Sequence, residues 1–281
     1  MKGINHLVLA AHNLDSIRAH YEALGFKLTA SGQHPFGTGN AVIQLHGSYL
    51  ELLAVTRPQD IIEHGTREFS FSAFNRDYLQ RHEGFSMLVL DTGDAASDIR
   101  EWTAAGLQTY APFEFSRKAR MPDGEDVMVG FSLAFVSNRL APWLGLFACQ
   151  HYRPEYYAQP QFMTHSNGAH HVDEVWISGP GALALSGYFA TVTGSNAVDR
   201  QAGLISIATR FGTIKLAESD VFADSFGEAP PHPADGPHLC ALTIACSKKG
   251  ELPMQMLHSI GERHILPSKD CFGTVLAFRA S

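Results

Sequence analysis

Apolar residues fall in short runs along this chain, separated by turns rich in Gly, Pro, Asn and Ser. Residues 4–9 and 49–55 are apolar stretches of strand length and read as buried strands. Behind the first, Ile17, Tyr21 and Leu24 recur at helical spacing. Asn13 or Asp15 can cap that helix, and Gly25 stops it. Residues 26–29 read as a short strand. The Gly- and Pro-containing stretch 31–39 reads as a loop, either a lid or an ordinary surface connection. Strands at 41–45 and 49–55 are joined by a tight turn at 46–48. The unit is β-α-β-β-β.

The same pattern returns. A strand at 84–92 leads to a helix at 94–105, with Ile99 and Trp102 inward and Gly106 closing it. A strand at 108–115, a turn-like connection at 117–124 and strands at 127–136 and 144–150 follow. A third unit has a strand at 172–177, a helix at 181–192 stopped at Gly194, and strands at 204–209 and 213–217. A fourth has a strand at 239–245, a helix at 252–260, and strands at 263–266 and 274–278. Unit starts recur roughly every 70 to 85 residues, the mark of a repeated supersecondary element. One such unit leaves a sheet face exposed, and pairing two closes a curved sheet around a cavity. The expectation is an α+β fold of four tandem βαβββ modules forming two paired curved sheets. Residues 1–153 would be one domain, 154–168 a Pro- and Tyr-rich linker, and 169–281 a second, degenerate pair of modules. Residues 224–237, dense in Pro, should be irregular.

Composition narrows the partners. The 281 residues are 45% hydrophobic and 17% charged, with net charge −7, as in an ordinary globular protein. No basic stripe suggests nucleic acid, and no apolar run reaches membrane-spanning length. Met1 runs almost directly into a strand pattern, which leaves no room for a signal peptide, so a cytoplasmic location is expected. The four cysteines, Cys149, Cys240, Cys246 and Cys271, form no C-x-x-C pair and sit in apolar runs, so they read as buried thiols. Most of the 15 histidines read as structural, with His34 and His232, beside Pro or Gly in loops, as exposed.

Two polar residues stand apart. His6 and Glu51 each lie among apolar neighbours in a strand. Burying either is costly unless it is paired, hydrogen-bonded or metal-bound. Taken singly, His6 can be a satisfied core imidazole and Glu51 can answer an arginine. Together they mark a candidate site.

The sequence resembles the vicinal oxygen chelate superfamily, and within it the bacterial glyoxalase-like domain group. The supporting stretches are residues 4–9 with Asn13, Leu14 and Asp15 behind them, Leu24-Gly25-Phe26, Tyr49-Leu50-Glu51-Leu52, Cys149-Gln150-His151 with Arg153-Pro154-Glu155, and residues 165–169. The resemblance implies a metal inside the paired sheet, held from the first and last strands of each unit. His6 and Glu51 match those positions in the first unit. In the second they fall at Met87, or Ser86, and near Phe147. Strand alternation puts Cys149 and His151 on the face of Phe147 and turns Gln150 away. The implied ligand set is His6, Glu51 and His151, suited to Fe, Mn or Zn with positions left open. Glu51 is also the candidate catalytic acid/base. Met87, Cys149, Arg117 and Arg120 are candidates for substrate binding.

The implied function is a metal-dependent isomerase, lyase or dioxygenase acting on a small molecule with vicinal oxygens. The alternative is a metal-free binding or resistance protein of the same fold. Arg117, Lys118 and Arg120 are either a solvated run or an anchor for a carboxylate or phosphate. Phe69, Phe71, Phe74, Phe131 and Phe135 read as core. His170 and His171 are adjacent in a strand, so they face opposite ways and do not readily share an ion. Glu174 aligns with His6 and Leu216 with Glu51, with Glu218 a further carboxylate on the same strand face, so the second half is expected to lack a metal site. Either a homodimer or close packing of the two halves is expected from the short linker and the many apolar strands.

Overall fold

The computed structural model describes residues 1–120, 124–157 and 159–280, with backbone alone at 119 and 120. The first half contains β1 (Ile4–Ala10), α1 (Leu14–Ala23), β2 (Gly32–Gln33), β3 (Thr38–Leu45) and β4 (Ser48–Val55). It continues with α2 (Phe71–Leu79), β5 (Gly84–Asp91), α3 (Ala95–Ala104), β6 (Gln108–Thr109), β7 (Phe113–Arg120), β8 (Asp126–Ser137) and β9 (Gly145–His151). These strands form one sheet in the order β2-β3-β4-β1-β5-β9-β8-β6, with β7 also paired to β8. β1 is parallel to β4 and antiparallel to β5, so the two modules join along β1 and β5.

The second half contains β10 (Ala169–Ser178), α4 (Ser186–Thr193), β11 (Val198–Gln201), β12 (Leu204–Ala208), β13 (Thr213–Ala217) and α5 (Ser219–Phe226). β14 (His238–Cys246), β15 (His258–Ile260), β16 (Arg263–Leu266) and β17 (Val275–Ala280) complete it. The second sheet runs β11-β12-β13-β10-β14-β17-β16-β15, the same plan as the first. The repeat read from the sequence is therefore the architecture, mixed α+β with two curved sheets.

Local chemistry sets the helices. Asn13 caps α1 by accepting from the Ser16 amide, and Asp94 caps α3 by accepting from that of Ser97. Gly25, Gly106 and Gly194 follow α1, α3 and α4 with positive φ, where a side chain would be strained. The helix expected at 252–260 does not form. A single 3-10 turn at Met254–Met256 stands in its place, Leu257 turns to extended backbone, and residues 258–260 pair with β16 as a hairpin edge. The turn expected at 117–124 is largely strand: β7 pairs with β8 from Phe113 to Arg120, and residues 121–123 lie outside the described ones. Residues 26–29 are not a strand, although the Thr29 amide donates to the Val42 carbonyl.

Alternation decides which face each strand residue takes. Leu7, Leu9, Leu50, Leu52, Leu88 and Leu90 share one continuous core with α1, α3 and α4 and with Val175, Ile177, Leu242 and Leu276 of the second sheet. The two halves thus meet through the faces that carry these helices. The other face of the first sheet is concave. Val8, Leu53, Met87, Val89, Phe147 and Cys149 pack there beneath α2. In the second half α5 fills the equivalent face, with Phe222 and Phe226 against Trp176. All four cysteines are buried and form no disulfide. Among the described residues, no helix is long and apolar enough to cross a membrane.

Candidate functional site

The concave face of the first sheet keeps a polar centre among its apolar residues. β3 places Asn40, Val42 and Gln44 on this face, opposite Leu53, Glu51 and Tyr49 of β4. β1 adds His6, and its Val8 pairs with Glu51 in register. The loop before β3 turns His34 inward. Only 6% of His34 is exposed, so the expectation of a solvent-facing histidine is overturned. His34 stacks on Phe36, and that contact together with its bond to Thr38 buries it. His232 is likewise half-buried, its ring stacked on His82 at 3.6 Å.

The hydrogen bonds fix the imidazole tautomers. His6 Nδ1 lies 2.7 Å from Asn5 Oδ1, an atom that can only accept, so Nδ1 carries the proton. The bare Nε2 of His6 then faces Glu51 Oε2 at 3.7 Å. Asn40 Nδ2 donates to Glu51 Oε1 at 2.5 Å and lies 3.5 Å from His34 Nε2. His34 Nε2 is thus also an acceptor, 3.6 Å from Glu51 Oε1, and its Nδ1–H meets Thr38 Oγ1 at 2.8 Å. Asn40 serves the His34 side of the carboxyl. On the His6 side, two acceptors face each other with no donor between them.

Burial controls the charges. It pushes the Glu51 carboxyl up to about 7, against the lowering exerted by the Asn40 hydrogen bond and the Arg117 charge. It holds His6 well below the usual imidazole range, with His151 and His34 adding to the effect. His34 is lowered to about 3 by burial and then by Arg117, and His151 to about 4 by burial. The imidazoles are therefore neutral at pH 7, the form in which they coordinate metals.

A small pocket of about 40 Å³ opens over this centre. Its walls are aromatic: Tyr49, Phe71, Phe115, Phe131, Phe147 and Tyr157, with Cys149 and Arg117 also lining it. Phe71 and Phe131 thus line the pocket as well as the core. His151 lies just outside, in an adjoining cavity of about 180 Å³, with its ring beside those of Tyr157 and Phe131. Its Nε2 is buried without a hydrogen-bond partner. Met87 is fully buried against Asn75 and does not line the pocket. Arg120 ends β7, and its side chain lies outside the described residues.

Tyr157 comes from the expected linker, which is bound to the first sheet. Gln44 Nε2 donates to the Tyr157 carbonyl, the Gln159 amide donates to Gln44 Oε1, and His165 Nε2 meets the Gln44 carbonyl. Tyr49, Tyr157, His34 and Asn40 are site residues that the sequence reading did not select. For Asn40 a signal existed, since Asn40 and Gln44 alternate with Val42 on one strand face.

The donor set fits a borderline divalent ion in chemistry: neutral imidazoles and one carboxylate, with the rings of His6 and His34 oriented through their far Nδ1 bonds. It is not drawn into a closed cage. Among the described residues, no three His, Cys, Asp or Glu side chains group closely enough to hold an ion.

The second sheet differs at each matching place. Lys215, not Leu216, stands where Glu51 does, because Lys215 pairs with Trp176 as Glu51 pairs with Val8. Leu216 faces the shared core. Glu174 is clamped by Arg263 at 2.9 Å and by Lys215 and Arg279 at 3.7 Å, and it accepts from Trp176 Nε1. Glu218 is exposed at the start of α5.

The profile of the glyoxalase-like domain family matches residues 4–193, most of the chain, and the chain belongs to that family. Its fold is that of the vicinal oxygen chelate superfamily. A hypothetical protein from Staphylococcus aureus superposes with a TM-score of 0.74 at 12% identity over 100% of both chains. A mutant 4-hydroxymandelate synthase from Streptomyces coelicolor gives 0.54 at 11% identity, over 99% of this chain and 92% of that one. A xylose isomerase-like TIM barrel/4-hydroxyphenylpyruvate dioxygenase fusion protein gives 0.50 at 14% identity, over 88% of this chain and 37% of that one. At these identities the likeness is one of fold. No curated protein matches the chain by sequence.

Proposed function

We propose that the protein is an enzyme acting on a small molecule with neighbouring oxygen atoms, and that a divalent ion, Fe, Mn or Zn, is held by His6, Glu51 and His151. The observation that carries this reading is the bare Nε2 of His6 facing a carboxylate oxygen at 3.7 Å with no donor between them. A cation between the two answers both lone pairs. The partnerless Nε2 of His151 offers a third, once its ring turns from its place beside Tyr157. When bound, such an ion supplies Lewis acidity to the substrate oxygens. The chain's own part is distinct. Asn40 orients Glu51 and the aromatic walls exclude water, while burial raises the Glu51 carboxyl to about 7 before any ion binds, so that binding an ion at neutral pH releases the proton that part of the metal-free protein carries there.

A second reading rests on the same pair. A proton on Glu51, donated toward His6 Nε2, satisfies both groups without a metal, and the protein is then a metal-free binder of a small, partly apolar ligand. Metal analysis separates the two readings. Protein purified without chelators and supplied with Fe, Mn or Zn should hold about one ion per chain. His6→Ala and Glu51→Ala should abolish that content and leave circular dichroism unchanged. Wild-type protein that holds none of the three metals removes the first reading.

A further inference from the structure

The site carries a cation whose purpose the metal reading does not use. Arg117 lies on β7, where alternation puts it on the face of Phe113 and Phe115. It lines the inner pocket over Glu51 and also a wider outer cleft of about 470 Å³, which shares Asn40 and Tyr157 with that pocket. Arg117 therefore stands at the junction of the two spaces.

Its bonding is incomplete. Arg117 Nε is buried with no hydrogen-bond partner. Among the described residues, no carboxylate lies within ion-pair distance of its guanidinium, whereas Arg76, Arg81, Arg210, Arg263 and Arg279 each have one. A guanidinium taken partly out of water without a counter-charge is unfavourable. Its planar fork matches an oxyanion in geometry as well as charge. A solvated surface arginine would need no such partner, but this one has a buried nitrogen and stands next to Phe115, Phe131 and Tyr157 in the pocket wall.

The sizes divide the ligand. The inner pocket, about 40 Å³, has room for a few atoms and no more. The outer cleft takes the rest, against Tyr156, Tyr157 and Phe162.

We propose that Arg117 is the anion anchor of this site, and that the substrate is a small planar or aromatic oxyanion, a carboxylate or a phosphate-type group. The charged group sits on Arg117 at the junction, and the apolar body lies along the aromatic walls. This names the substrate class for the enzyme proposed above, and so rests on that reading for the location of the chemistry, though not for the binding itself.

Calorimetric titration of the full chain with benzoate, phenylphosphonate and the neutral isostere benzamide tests the assignment. Wild type should bind at least one acid about tenfold more tightly than benzamide, and the tighter acid tells carboxylate from phosphate chemistry. Arg117→Gln should erase that preference, Arg117→Lys should keep part of it, and Lys248→Gln, which removes one exposed positive charge in the second half, should leave it intact. Circular dichroism checks that each variant is folded. Equal binding of acids and amide by wild type, no measurable binding of either acid, or an acid preference that survives in folded Arg117→Gln would each overturn the proposal. Titrations repeated with Mn(II) and in His6→Ala keep the two ideas apart. An acid preference that persists in a chain shown to hold no metal supports the anchor while removing the metal.

Discussion

Glu51 is a carboxyl buried with one amide donor, no cation in contact, and two imidazoles that cannot donate to it. Its pH behaviour follows. In the unfolded chain it loses its proton near 4.5, and in the fold only near 7. Between these values the folded state holds more protons, so stability falls as pH rises through the window and stays lower above it. The full effect is about 3 kcal/mol in metal-free protein. The histidines act with the opposite sign. Unfolded, they gain protons below 6.5, whereas folded His34 and His151 stay neutral down to about 3 and about 4. Their contribution is present above 6.5 and is lost as pH falls through those values. Glu51→Gln removes the carboxyl term alone. Thermal melts of metal-free Glu51→Gln and wild type should therefore coincide near pH 4 and separate in favour of the variant by pH 8. A gain that is equal at every pH would show that burial of the charge is not its cause.

At the scale of elements, the concave face is shaped by what crosses it. Gly145 opens β9 where β5 and α2 converge. A methyl group there would meet Met87 Cγ at 2.5 Å and Phe74 Cε1 at 3.1 Å. Gly145→Ala should cost about 1–3 kcal/mol by overpacking, read as a lower urea midpoint with an unchanged slope. No change in midpoint would mean that α2 gives way freely. The same region shows what the sequence disclosed. Strands β1, β4, β5 and β9 were legible because their apolar runs are bounded by turn residues, and α1 and α3 because caps and stopping glycines agree with the helical period. Helix α2 was legible in principle: Ser70 caps it, and Phe71, Phe74 and Tyr78 recur at helical spacing. It stayed hidden because those aromatics read equally well as core, which they also are. His6 and Glu51 stood out as polar residues in apolar strands. His34 did not, since a loop histidine becomes a site residue only when Phe36 and Thr38 turn it inward. The one-residue offset between Leu216 and Lys215 likewise depends on pairing register, which composition does not set.

At the scale of the whole molecule, the two sheets share one apolar core, and polar contacts reinforce it. Asp235 of the second half is bonded by both Arg81 and His82 of the first. Tyr188 of α4 donates to the Val136 carbonyl of β8, and Tyr21 of α1 touches Cys271. Limited proteolysis within residues 154–168 should give a nicked chain whose two pieces stay together in gel filtration, because separation would expose the leucine-rich faces of both sheets. Release of two stable, monomeric halves would contradict this. The shared core also governs how occupancy of the first concave face would be felt. Because one apolar core spans both halves, the chain should melt as one unit, and a ligand bound only in the first half should delay loss of structure in the second. At a hundredfold excess over Kd that delay is worth about 2.7 kcal/mol. The tryptophan of the second sheet, Trp176, lies buried against α5 and far along the chain from His6 and Glu51. With Trp102 and Trp143 of the first half replaced by Phe, its fluorescence can thus serve as a remote reporter of what the other half has bound.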